Sequence, residues 1–300
     1  MIGDLPDAPE LPDLDAPAPA NDAKPPLRIF DKDGTVHYSQ LKKLALSGVQ
    51  YLHTVNTDSE PTRAMLVGTV THYLVLGARP GAKKLVLFDG DRRSGKAWDA
   101  FLDAHPKATH EIVTRPEWAE GEAMAESIRR SPIAQRRLAG AAYEVPLRWE
   151  ENGIPCSTSG IDIIPVNGDL GDLKSTKSTH PDTFKRQAFQ MLYPQQLAFY
   201  RRGRLAHGLP VPNLFILGVE SKPPYEVVEL ILTPDLISLA DKSLTLWFED
   251  LRRNRLAIPE PRDVYDWPGY AEAPVEWGVP EWRKRDEDEN EDEEEEEAAA

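Results

Sequence analysis

The stretch Ile161 to Thr176, IDIIPVNGDLGDLKST, sets charged groups inside an otherwise apolar pair of extended segments. Asp162 stands among isoleucines, and Asp172 and Lys174 flank a single leucine, Leu173. Side chains alternate along a strand, so Asp172 and Lys174 share a face while Leu173 points into the packing. Whether Asp162 joins them is a matter of register. A two-residue Asn167-Gly168 turn would pair Val166 with Asp169 and put Asp162 on the wrong face. A three-residue loop, Val166-Asn167-Gly168, pairs Pro165 with Asp169 and sets Asp162 across from Asp172. That loop wants a left-handed glycine last, and Gly168 supplies it. The spacing predicts the three-residue loop or an equivalent bulge.

Two carboxylates facing each other at about 5 Å between backbones repel strongly if both ionise. A divalent cation removes the conflict. Magnesium takes hard oxygen ligands, keeps several waters and usually needs only one or two carboxylates from the protein; Mn2+ could substitute. An ammonium beside the ion, that of Lys174, can hold and polarise an attacking water or neutralise charge developing on a phosphate. The hairpin therefore reads as a phosphodiester-hydrolysing site. The plainer alternative is an ordinary Asp172–Lys174 ion pair on a strand.

The elements that must position this hairpin follow from periodicity and punctuation. HYSQLKKLALSG (37–48) reads as a helix with Ser39 as N-cap and Gly48 as its stop. SEPTRAMLVGTVTHYLVLGARPG (59–81) is a stronger one, with Ser59 capping, Pro61 in the first turn and Gly77 after the apolar run. KKLVLFD (83–89) is a strand, GKAWDAFLDAH (95–105) a helix, and RPEWAEGEAMAESIRRSPIAQRRLAG (115–140) a helix broken at Pro132. From Tyr143 to Thr176 the chain is β-branched and punctuated by Asn152-Gly153 and Asn167-Gly168, the mark of consecutive antiparallel hairpins. A long helix from about Thr183 to Arg202, strands at NLFILGVE (213–220) and YEVVELIL (225–232), and an amphipathic helix at 234–256 complete one α/β domain.

Composition bounds the rest. At 40% hydrophobic residues, 300 residues can bury a sizeable core. The single cysteine, Cys156, excludes an internal disulfide and any metal cluster held by thiolates alone. The N-terminus has no signal-peptide pattern and no apolar run approaches a membrane span, so the expected compartment is the cytoplasm, with no membrane partner. The net charge of −15 lies in the ends: residues 286–300 hold 11 acidic and no basic residues, whereas 25–285 carry a net charge of +1. Residues 1–27, rich in Pro, Asp and Ala, and the acidic run 284–300 are expected to be disordered tails around a domain at 28–283.

The hairpin and its flanks resemble the PD-(D/E)xK nuclease superfamily, and within it the RecE-like (exonuclease VIII-type) branch of RecB-like nucleases. Asp162 matches the lone aspartate, and Asp172-Leu173-Lys174 matches the D-x-K element. YPQQLAFY matches the branch's Y-x-x-Q-x-x-x-Y signature at Tyr193, Gln196 and Tyr200. VGTVTHYLVL places His72 at the metal-binding histidine, and YEVPLRW places Glu144 at the family glutamate. The likeness covers roughly residues 35–250 in order. Ile161 stands where the family has proline, Pro194 should restart or kink the Gln196/Tyr200 helix, and the four cysteines of the iron–sulfur branch are missing.

The resemblance implies a restriction-endonuclease-like α/β core: a mixed central sheet with an antiparallel meander, flanked by helices. It implies a Mg2+ (or Mn2+) ion held by His72, Asp162, Asp172 and the Leu173 carbonyl, with Lys174 aligning a water for in-line attack. Glu144 would bind a second cation, orient water, or simply pair with a basic residue. Tyr193, Gln196 and Tyr200 fall on one helix face: either a packing stripe, or Gln196 on a phosphate or on Lys174 with Tyr200 along the strand path. Lys177, Lys185, Arg186, Arg201, Arg202 and Arg204 form a candidate phosphate track, Lys177 and Arg186 first among them. His180 and Ser175 are bystanders. The implied activity is 5′-to-3′ exonucleolytic digestion of linear duplex DNA in phage- or prophage-type recombination, by a ring-shaped homo-oligomer with a single-strand annealing protein as partner. The rival readings are an endonuclease, a single-strand-specific nuclease, or a non-catalytic DNA-binding module.

Overall fold

The computed structural model describes residues 25–90 and 92–270. The expected tails therefore lie, apart from 25–27, outside the described residues. The central sheet has five strands in sequence order: β3 (Ala142–Glu151), β4 (Ile154–Ile164), β5 (Leu170–Thr176), β6 (Leu214–Glu220) and β7 (Val227–Ile231). All neighbours pair antiparallel except β5 and β6. This is the mixed sheet with an antiparallel meander that the resemblance implied. β6, LFILGVE, is buried over its first six residues, as a central strand covered on both faces must be.

Helices cover both faces. On one side α3 (Arg63–Leu76), α5 (Arg115–Arg130) and α6 (Pro132–Leu138) bury Val67, Leu76, Met124, Ile128 and Ala134 against Ile163, Leu173, Phe215 and Leu217. On the other, α2 (Gly48–Asn56), α8 (Tyr193–Ala206) and α9 (Pro234–Ala257) build the larger core around Tyr51, Phe199, Leu244 and Phe248. The β5–β6 crossover runs through α7 (Pro181–Gln190) and α8. A second, two-stranded parallel sheet pairs β1 (Lys84–Phe88) with β2 (His110–Thr114), bridged by α4 (Lys96–Ala104).

Several sequence expectations shift at their edges. His37, not Ser39, caps the short α1 (Tyr38–Leu41), which passes into a 3-10 turn at Lys42–Ala45. Gly48 starts α2 instead of ending a helix, because the Ser47 hydroxyl accepts from Gln50 N at 3.2 Å. Thr62 caps α3 in place of Ser59, since Pro61 disfavours a helical residue before it. The expected long helix at 183–202 is two: Leu192 sits at φ 61 between α7 and α8, and Pro194, having no N–H to donate, occupies the first turn of the second. β2 was not anticipated; its five residues are too few for an alternation to stand out.

The turn that sets the site's register is as the spacing predicts. Gly168 N donates to Pro165 O at 2.9 Å, Gly168 sits at φ 84, and Ile163 pairs with Gly171, which puts Asp162 level with Asp172. Replacing Gly168 by alanine forces a Cβ into a left-handed backbone at about 1–2 kcal/mol. Gly168→Ala is expected to lower the urea midpoint accordingly, with an unchanged m-value; an unchanged midpoint would show that the turn relaxes freely.

Candidate metal centre

The β4–β5 ladder is short. It rests on the Ile163–Gly171 pair, and beyond it the backbone groups of the strands turn to other partners. Leu173 N donates to Asp162 Oδ2 at 2.9 Å, and the Leu173 carbonyl accepts from His72 Nε2 at 2.9 Å. The far half of β4 pairs instead with the entering chain, where Val36 bridges Cys156. The two strands thus diverge at the level of Asp162 and Asp172, and the backbone groups released there are met by site side chains.

His72, mid-way along α3, places Nδ1 3.7 Å from Asp162 Oδ2 and 3.8 Å from Glu144 Oε1. One ligand atom from each of His72, Glu144 and Asp162 lies within 4.8 Å of the others. Glu144 reaches this point from β3 with φ at 50, unusual for a residue with a side chain. The register of β3 against β4 slips by one residue between Val145 and Leu147, and opposite it stands Gly160, where a Cβ would collide with the Glu144 carboxylate. The bulge and the glycine make the room in which this acid is held. Such strain, about 1–3 kcal/mol, persists where surrounding packing enforces it.

Asp172 and Lys174 form the adjoining half. Lys174 Nζ stands 2.6 Å from Asp172 Oδ2, and Gln196 Nε2 donates to Asp172 Oδ1 at 3.2 Å and to the Tyr200 hydroxyl at 2.8 Å. Tyr193 lies beneath the ammonium, 5.0 Å from ring centre to Nζ. Tyr193, Gln196 and Tyr200 therefore share the α8 face toward the hairpin, but Gln196 grips Asp172, not Lys174. Restarting the helix at Tyr193 is what aims them.

The electrostatics follow from burial. Asp162 and Asp172 are 3% and 0% exposed. Burial pushes the Asp172 carboxyl up to about 7, with the neighbouring Asp162 charge adding to the rise and Lys174 opposing it. Burial also disfavours ionised Asp162, but the charges of His72 and Lys174 and the Leu173 N–H outweigh it and hold this acid below its usual range. Burial opposes the protonated His72 ring, and Asp162 and Glu144 reverse the balance and raise it. Lys174 is raised likewise: burial disfavours its charge, and Asp172 and Asp162 overcome that.

These residues fit a hard divalent cation. The donors are two carboxylates and an imidazole, and Asp172 Oδ2, although beside Lys174, accepts no well-directed hydrogen bond. His72, Glu144 and Asp162 would hold the ion, with Asp172 and the Leu173 carbonyl as further candidate ligands.

The basic track is only partly free. Lys177 and Arg186 are exposed, with no ion pair among the described residues. Lys185 lies 3.9 Å from Asp182. Arg201 and Arg202 turn instead to Asp241 of α9, at 3.4 and 3.0 Å, and Arg202 also reaches Glu151. They brace α8 and are not available as a phosphate track. Sequence reasoning missed Arg79, whose guanidinium binds Glu144 and faces Asp162; its one signal was a basic residue three positions past the end of the histidine helix.

The chain matches the family described as "PDDEXK-like domain of unknown function (DUF3799)" over residues 37–252. Among solved structures it is similar to a "Putative exonuclease" from Eubacterium rectale, 16% identical, with a TM-score of 0.54, covering 73% of this chain and 80% of that one. A weaker likeness, to SSO0001, has 9% identity and a TM-score of 0.27, covering 65% of this chain and 90% of that one. No curated protein matches. Among the described residues no helix is long and apolar enough to cross a membrane.

A ligand that binds only the folded state at a hundredfold over its Kd stabilises by about 2.7 kcal/mol. Saturating Mn2+ is therefore expected to raise the melting temperature by several degrees, reversibly with EDTA. Asp162→Asn should abolish the increment. An equal rise in the variant would place the ion elsewhere.

Proposed function

Because the chain belongs to the PDDEXK-like family (DUF3799) over residues 37–252, we propose that it is a divalent-metal-dependent deoxyribonuclease. Residues of the candidate metal centre carry its chemistry. The observation that carries this reading is the group of half-buried His72 and buried Glu144 and Asp162 beside the Asp172–Lys174 pair. An ordinary strand ion pair would need none of the first three.

A divalent cation at that group would supply Lewis acidity toward a phosphodiester and toward water. Lys174, fixed between Asp172 and the Tyr193 ring, orients the attacking water and offsets negative charge growing on the phosphate. Gln196 fixes Asp172, so that carboxylate and ammonium hold one geometry. His72 ties α3 to β5 through the Leu173 carbonyl and so fixes the depth of the site. Lys177 and Arg186, exposed at the end of β5 and on α7, can bind backbone phosphates of the substrate.

The finer reading is a 5′-to-3′ exonuclease on linear duplex DNA that uses Mg2+, with Mn2+ as a substitute, in phage- or prophage-type recombination. It acts in the cytoplasm as a ring-shaped homo-oligomer beside a single-strand annealing protein. The Tyr193, Gln196 and Tyr200 signature supports it, and the fold neighbour from Eubacterium rectale bears an exonuclease description.

Linear duplex labelled at either the 5′ or the 3′ end should be digested with Mg2+ and spared with EDTA, with early release of the 5′ label. Closed circular duplex should stay intact. Lys174→Ala and Asp172→Asn should each slow digestion by about 10²–10⁴-fold. Nicking of circles would favour the endonuclease reading, and duplex binding without digestion would favour a binding module. Parental rates in Lys174→Ala would sink the assigned chemistry.

A further inference from the structure

Arg79 stands where a metal ion's charge would be needed. Its Nε lies 2.6 Å from Glu144 Oε2, and its Nη2 lies 3.3 Å from Glu144 Oε1 and 3.5 Å from Asp162 Oδ1. Both oxygens of Glu144 are thus occupied by one guanidinium. Asp162 Oδ2 already accepts from Leu173 N, and its Oδ1 faces the same arginine. The forked, planar group matches a pair of carboxylates in a way an ammonium cannot.

A divalent ion and this guanidinium compete for the same oxygens. Ligand oxygens approach Mg2+ to about 2.1 Å, so an ion on Glu144 and Asp162 would sit within a few ångströms of the arginine charge. In a buried site that repulsion is weakly screened. Arg79 can also leave. Its side chain is 37% exposed, against 4% for each acid, and its loop runs between Gly77 at φ 90 and Gly81 at φ 72, beyond the end of α3. Gly160 keeps the space beside it open, since a Cβ there would come within 3.2 Å of Arg79 Nε.

We infer that Arg79 is the resident counter-ion of the metal-free centre, that a divalent ion exchanges with it, and that the displaced guanidinium then binds a phosphate of the substrate. The inference rests on the reading that His72, Glu144 and Asp162 hold the ion. It makes Arg79 a substrate-binding residue that becomes available only when the centre is loaded. It also explains how the unloaded centre keeps its acids together: the arginine offsets their repulsion until a cation arrives.

The test uses the full chain and two readouts that need no turnover. In titration calorimetry without DNA, Arg79→Gln should bind Mn2+ about tenfold more tightly than the parent, and Arg79→Lys, which keeps a charge, should fall between them. Binding of a short fluorescent duplex should be about tenfold weaker in Arg79→Gln with Ca2+ present and equal to the parent with EDTA. Thermal melts in EDTA check that the variants fold, and Arg79→Lys serves in place of Arg79→Gln should the latter unfold. Mn2+ binding that is unchanged or weaker in Arg79→Gln would overturn the exchange, as would a loss of DNA affinity independent of Ca2+. If the parent bound no Mn2+ at all, the metal centre itself would fall, and this inference with it. Parental Mn2+ binding that survives Asp162→Asn would likewise remove the centre, and is distinguishable from a failure at Arg79.

Discussion

Keeping acidic side chains out of water, close together, is the constraint around which this fold is arranged. Glu144, Asp162 and Asp172 are 3%, 3% and 0% exposed, and they arrive from three neighbouring strands. An unpaired buried charge is costly, so every one of them is met. Arg79 takes Glu144, Leu173 N and the His72 ring lie against Asp162, and Lys174 with Gln196 takes Asp172. The compensation is uneven. Asp172 is pushed up to about 7 by burial even beside an ammonium, and one of its oxygens lacks a directed hydrogen bond.

Backbone irregularity serves the same end. A regular meander would spend its N–H and C=O groups on neighbouring strands. Here β4 and β5 separate at the acids, so the Leu173 N–H and carbonyl become hydrogen-bonding groups of the site. Glu144 stands at a positive φ just before the β3 bulge, and Gly160 on β4 makes room for its carboxylate. Behind these departures the sheet is stiff. β6 pairs with β5 over seven residues and is buried on both faces, which holds Asp172 and Lys174 in place while the other edge of β5 is opened.

The surrounding helices act as fixed supports with separate tasks. α3 lays His72 against the open strand edge, from the face where Leu173 packs among Val67, Met124 and Ile128. α8, on the opposite face, presents Tyr193, Gln196 and Tyr200 to the Asp172–Lys174 pair, and Arg201 and Arg202 anchor it to α9 through Asp241. Charge near the candidate centre is therefore of two kinds. Lys177 and Arg186 are exposed and without an ion pair among the described residues, while Arg201 and Arg202 of α8 are held by Asp241 and Arg202 also by Glu151.

The amino-acid sequence by itself determined the hairpin register, because period-two alternation and a left-handed glycine leave one loop that puts Asp162 level with Asp172. It also determined the mixed α/β order, the break at Pro132 and the restart near Pro194, since proline and glycine act on the backbone locally. What tertiary structure alone decided are the contacts between elements far apart along the chain. Arg79 meets Glu144 across 65 residues, and His72 meets Leu173 across 101. The pairing of Arg201 and Arg202 with Asp241 ties both arginines to α9, a contact that a basic run in the sequence does not reveal. Local pattern records which groups share a face of one strand or helix. Which opposing charges neutralise one another depends on where separate elements pack, and burial there sets the strength of every such pair.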